Sequence, residues 1–199
     1  MNHRPKSQVK EATAKNSKGD KWVRYVALLR GINLASHKQV RMEDLRKLLE
    51  SMGFKNVRTI LNSGNVVFDA QEASKSTLVK QIEEALTKAF GYEIPVILRA
   101  VREIQEMVDS NPFEKVKVTP DTRLYVTFLS EKPRSSIRIP YESPERDLKI
   151  LTIQDGAVFH VVTLETGRGT TGAMAALEKL FGKRVTTRNW NTVIKMLKN

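Results

Sequence analysis

Cysteine is absent from this chain of 199 residues, which excludes disulfides, thiolate metal sites and a cysteine nucleophile together. Histidine is scarce, with three copies: His3 in a basic amino-terminal stretch, His37 in a polar loop and His160 on an apolar strand. None of them has a second histidine or a carboxylate pair at ligand or triad spacing, so neither a metal nor a cofactor is expected. The chain also lacks any run near the roughly 20 apolar residues that span a bilayer, and its start lacks the apolar core of a signal peptide. These absences describe a soluble cytoplasmic protein with no membrane partner. Nothing in the sequence sets its oligomeric state.

What is present begins with 40% apolar residues, enough for a substantial core in one large domain or two small ones. The formal charge is +12, which raises the local concentration of polyanions and makes nucleic acid a partner to consider. Part of that charge lies in residues 1–21, where Arg4, Lys6, Lys10, Lys15, Lys18 and Lys21 outnumber Glu11 and Asp20. With few apolar residues, this segment is expected to be a disordered basic tail.

An imperfect repetition organises the rest. Tyr25-Val26-Ala27-Leu28-Leu29 returns as Tyr125-Val126-Thr127-Phe128-Leu129, and Ser63-Gly64-Asn65-Val66-Val67-Phe68 is echoed by Asp155-Gly156-Ala157-Val158-Phe159. Apolar residues on both alternating sets of 23–29 predict a strand covered on both faces. Helical spacing follows over 42–52, then strands at 56–61 and 66–68 around the turn formers Asn62-Ser63-Gly64-Asn65, a helix over 76–90 and a strand over 94–98. This β-α-β-β-α-β order predicts a ferredoxin-like unit over residues 22–99 with an antiparallel sheet. Residues 100–121 read as a linker helix and loop ending near Asn111-Pro112-Phe113, and 122–199 as a second, degenerate unit with a carboxy-terminal helix. In that second unit Pro133, Pro140 and Pro144 leave the first crossover helix lost or shortened. The fold expected is therefore α+β, a tandem pseudo-duplication of ferredoxin-like units.

Three segments, Leu28-Leu29-Arg30-Gly31-Ile32-Asn33, Asn62-Ser63-Gly64-Asn65-Val66-Val67-Phe68 and Thr187-Arg188-Asn189-Trp190-Asn191-Thr192-Val193, occur in an order that resembles the bacterial domain of unknown function family 1697 (DUF1697), with Asn111-Pro112-Phe113 as its mid-chain turn. The resemblance covers about Arg24 to Leu197. It implies a duplicated ferredoxin-like fold in a bacterial cytosolic protein and no particular activity.

Candidate site residues fall in two loop clusters. Gly167-Arg168-Gly169-Thr170-Thr171-Gly172 satisfies G-x-G-x-x-G, but only 27 residues follow it, too few to complete a doubly wound dinucleotide domain. Exposed amides at a helix start, with Arg168, Gly169, Thr170 and Thr171, still suit an anion. Arg188 is expected to approach Arg168 from the neighbouring connection, with Trp190 either a stacking face for a base or a core anchor, and Asn189 a ligand contact or simply a helix cap. At the other cluster, Arg30 and Asn33 should face Asn62, Ser63 and Asn65, residues that equally serve tight turns. His37 is the histidine placed to move a proton there, while His160 reads as packed. The catalytic residues, if any, are not legible.

The function these features favour is non-enzymatic binding of a phosphate-bearing ligand, a nucleic acid or nucleotide, through Arg30, Arg168 and Arg188 with loop amides. An enzyme acting on a small polar or phosphorylated substrate is the alternative, and a scaffold for oligomerisation is a third. Stacking of RNA on the sheet is disfavoured: the third strand supplies one aromatic, Phe68, and Tyr25 a candidate second, but apolar residues on both strand faces imply that another layer covers the sheet.

Overall fold

The computed structural model describes residues 21–33, 39–131, 137–164 and 169–198. The basic segment 1–20 lies outside the described residues, so the reading of it as a tail has no structural counterpart here. Described elements run β1 (Trp22–Leu29), α1 (Met42–Ser51), β2 (Lys55–Ile60), β3 (Asn65–Gln71), α2 (Lys75–Phe90), β4 (Val96–Ala100), α3 (Val101–Asp109), β5 (Thr122–Leu129), β6 (Tyr141–Glu142), β7 (Leu148–Gln154), β8 (Ala157–Thr163), α4 (Thr171–Phe181), β9 (Val185–Asn189) and α5 (Trp190–Leu197). It is an α+β protein with two antiparallel sheets, ordered β2-β3-β1-β4 and β6-β7-β8-β5-β9.

Local signals account for the elements. Ser74 caps α2 by accepting from the Thr77 N–H at 3.2 Å, Leu78, Ile82 and Leu86 recur every fourth residue on its buried face, and Gly91 at φ 80° closes it in a left-handed turn. The β4 ladder starts at Val96, two residues later than the apolar run at Ile94 suggested, because Pro95 has no N–H to donate. Strand β9 extends to Asn189, since Arg188 continues the ladder opposite Val126, and α4 starts at Thr171, three residues ahead of the Met174 that its apolar spacing marked. Between β5 and β7 no helix occurs among the described residues; the two-residue strand β6 stands there, as the prolines required.

Both faces of β1 are buried, and the alternation sorts them into separate cores. Tyr25, Ala27 and Leu29 face α1 and α2 with Leu45, Leu49, Ile82 and Leu86, while Val26 and Leu28 join Val126, Phe128 and Phe159 of the second sheet. Ile104 and Met107 of α3 and Val193 and Met196 of α5 complete this shared core. The far face of the second sheet is covered by Ala173 and Leu177 of α4 against Leu148, Ile150 and Val158. Burial of this continuous apolar layer at roughly 25 cal/mol per Å² is what holds the sheets together.

Candidate functional site

Arg188 of one polar cluster meets Asn65 of the other in a filled joint. Arg188 is 8% exposed and lies on the β9 face that looks into the shared core. Its Nη2 donates to the Leu29 carbonyl at 2.6 Å, its Nη1 to Thr186 Oγ1 at 2.7 Å and to the Thr187 carbonyl at 2.9 Å, and its Nε to Asn65 Oδ1. Asn65 is fully buried and turns its amide to the Ile60 carbonyl at 3.0 Å and to Ser63 Oγ at 2.9 Å. Thus Asn62, Ser63 and Asn65 form the turn that presents an acceptor to Arg188. No carboxylate of the described residues pairs with this guanidinium, and burial lowers its pKa to about 10, which still leaves it charged at neutral pH. A buried charge is tolerable here because oxygen acceptors surround the fork.

Arg99, which the sequence reading overlooked, makes the reciprocal contact. It stands opposite Val26 on β4 as Arg188 stands opposite Val126 on β9. Its Nη2 donates to the Leu129 carbonyl at 2.8 Å and to the Gly156 carbonyl at 3.0 Å. Leu129 and Gly156 correspond to Leu29 and Gly64: in each sheet the leucine N–H donates to the glycine carbonyl at 2.8 Å. Each sheet therefore sends one arginine from an edge strand into the turn of the other. Desolvation lowers the Arg99 pKa, with the nearby Glu103 charge opposing the change. The sequence signal was available, because Arg99 and Arg188 occupy the same place in the two copies of the repetition.

Arg30 strengthens the same joint from the surface. Its Nε donates to the Val185 carbonyl at 3.0 Å and its Nη2 to Glu178 Oε1 of α4 at 2.6 Å. Asn33, at φ 56°, clamps its own loop: its Nδ2 donates to the Val40 and Asn62 carbonyls and its Oδ1 accepts from the Val40 N–H. Trp190 is packed edge-on against Phe113 and Phe159, with ring centroids at 5.1 and 6.2 Å, the core anchor of the two readings. Asn189 caps α5 by accepting from the Asn191 N–H at 3.0 Å.

The glycine-bearing segment is only partly in view, since Arg168 and His37 both lie outside the described residues. Gly169 and Thr171 are exposed and Thr170 half-buried at the start of α4. A carboxylate already stands close by: Asp147 Oδ2 lies 3.4 Å from where a Cβ on Gly172 would sit. Ser143 Oγ donates to the other oxygen of Asp147 at 2.7 Å. His160 is packed, as expected. One ring nitrogen meets Thr127 Oγ1 at 2.9 Å, the ring stacks on Tyr125, and burial pushes its pKa down to about 3, leaving it neutral.

A second polar region was not anticipated. The loop after α3 and the β6-β7 hairpin enclose a groove of about 630 Å³, bordered by Lys115, Lys117, Arg146 and Lys149. These four cations make no ion pair with any described residue. Leu151, Val161 and Val116 give it an apolar part, Asn111 and Thr163 add neutral polar groups, and Glu114 and Glu142 place two carboxylates in the same lining. Packing of Phe113 on Phe159 is what brings the loop against the hairpin. Lys115 and Lys149, which are distant in sequence, give no spacing signal for such a site.

Two interlocked antiparallel sheets, with α1 and α2 on the outer face of one, α4 on that of the other and α3 and α5 in the core they share, define the class. The chain belongs to the family described as protein of unknown function (DUF1697), whose model matches residues 23–159. Among solved structures it is similar to the conserved bacterial protein SP0830 from Streptococcus pneumoniae, with a TM-score of 0.70 and 23% identity over 90% of this chain and 100% of that one. That likeness shows the fold. No curated protein matches the chain. Among the described residues no helix is long and apolar enough to cross a membrane, and no cluster of metal-ligating side chains occurs.

Proposed function

We propose that this protein is a non-enzymatic, cytoplasmic binder of a phosphate-bearing ligand, a nucleic acid or nucleotide, held by basic loops. The observation that carries the reading is the set of four cations, Lys115, Lys117, Arg146 and Lys149, gathered round one groove, where they outnumber the two carboxylates of the lining, Glu114 and Glu142. The surplus of positive charge in one concavity focuses an attractive potential for polyanions. Arg30, Arg188 and Asn65 spend their hydrogen-bonding groups on the joint, so their part is to hold the scaffold beneath the binding surface. Gly169, Thr170 and Thr171 adjoin the hairpin end through Asp147, which stands beside Gly172 and whose carbonyl accepts from the Thr163 N–H at 2.9 Å, and they offer neutral amide and hydroxyl groups there.

The scaffold itself we read as one ferredoxin-like unit used twice, over 22–99 and 122–199, joined by 100–121. Matching strand orders, the equivalent turns at Gly64 and Gly156, and the reciprocal arginines support this. The test of function is fluorescence polarisation with a labelled single-stranded oligonucleotide over a salt series. Four neutralised phosphates give a log–log slope of about −3, and a Lys115→Ala, Lys117→Ala, Arg146→Ala, Lys149→Ala variant should flatten it. Unchanged affinity in that variant rejects the groove.

A further inference from the structure

We infer that the groove takes nucleoside phosphates, with the base and sugar on its apolar floor and the phosphates on its cationic border, so that it discriminates them from bare polyanions. This rests on the phosphate-binding reading above and adds the chemistry of the rest of the ligand. A site that only attracted negative charge would have no use for an aliphatic base. Here Leu151, Val161 and Val116 line the groove together with Lys115 and Lys117 of the loop and Arg146 and Lys149 of the hairpin, which outnumber the Glu114 and Glu142 carboxylates there. Val161 is 9% exposed and is anchored as a strand residue, opposite Lys149 in the β7-β8 register, so an apolar floor and a cationic edge are fixed side by side by the ladder.

The volume agrees. About 630 Å³ lies within the range of pockets that bury most of a drug-sized ligand, the size of one or two nucleotides. A duplex presents its phosphates on a convex surface with the bases stacked inside, leaving nothing to cover the floor. A free nucleotide or an unpaired segment offers base, sugar and phosphate together. Asn111 and Thr163, also at the groove, supply the amide and hydroxyl groups that such a ligand would engage.

The experiment is a competition assay on the full chain with fluorescein-labelled oligothymidine as probe and three competitors: inorganic polyphosphate, a nucleoside triphosphate and a duplex of matched length. Val116→Ser makes the floor polar at a half-buried loop position, and Lys149→Ala removes one border cation. The inference expects polyphosphate and duplex to compete about tenfold less well per charge than the single strand. It also expects Val116→Ser to weaken oligothymidine about fivefold while leaving polyphosphate unaffected, and Lys149→Ala to weaken both. Strong competition by the triphosphate assigns the site to free nucleotides, and weak competition to an unpaired strand; both fall within the inference. Equal competition by polyphosphate with an indifferent Val116→Ser overturns the inference and leaves the phosphate reading standing. Failure of the wild-type protein to bind any of the four overturns both.

Discussion

Replacing Arg188 by alanine tests whether the inter-sheet joint is structural. Truncation strands two buried acceptors, the Leu29 carbonyl and Asn65 Oδ1, at about 1–3 kcal/mol each. Removing the buried aliphatic stem costs about 2 kcal/mol more. Against this, the charge no longer has to be desolvated: the lowering of its pKa to about 10 by burial corresponds to a relief of roughly 3 kcal/mol. The balance is a loss of about 3 kcal/mol. Urea denaturation measures it, and Arg188→Met, which keeps most of the stem and drops the charge, should lose less than alanine does. A double-mutant cycle with Asn65→Ala should show a coupling of about 1–2 kcal/mol. An alanine variant within about 1 kcal/mol of wild type, additive with Asn65→Ala, refutes the reasoning.

Three further outcomes follow from the same geometry. Arg99→Lys retains charge but lacks the fork that spans the Leu129 and Gly156 carbonyls, so thermal unfolding should occur several degrees lower, for about 1–2 kcal/mol lost. Gly64→Ala places a Cβ 2.8 Å from both Ile32 Cδ1 and Leu29 Cβ at φ +71°, which should cost at least 2 kcal/mol in urea denaturation; wild-type stability there would contradict the turn geometry. His160 has a folded pKa of about 3 against an ordinary 6.5, so between those values the unfolded chain binds more protons and stability falls as pH falls. The slope contributed is about 1.4 kcal/mol per pH unit below 6.5, and His160→Gln, which retains a polar group for Thr127, should remove it from a pH series of unfolding midpoints.

The first sheet was legible because its signals are local. Apolar residues on both alternating sets of β1, the four-residue spacing on α2 and the Asn62-Ser63-Gly64 turn each declare an element within a few residues, and the order of elements then prescribes the strand pairing. Prolines announced the missing helix of the second sheet in the same way. Site chemistry was less accessible, since arginine in a loop-adjacent position reads alike whether it awaits an anion or fills a buried cluster. For Arg188 the deciding partners, Leu29 and Asn65, lie 159 and 123 residues away. Arg99 could have been found by carrying the repetition through to its last strand. The groove could not, because Lys115 and Lys149 become neighbours only through the Phe113–Phe159 packing beneath them.

On the proposed function, the conspicuous polar loops build the joint while ligand binding belongs to the groove. Backbone amide shift mapping by NMR, with a short single-stranded oligonucleotide titrated into the full chain, addresses it most directly. Perturbations confined to 111–117, 146–151 and 161–163 are the predicted result. Shifts centred on 29–33, 62–65 and 186–190, with a silent groove, would contradict it.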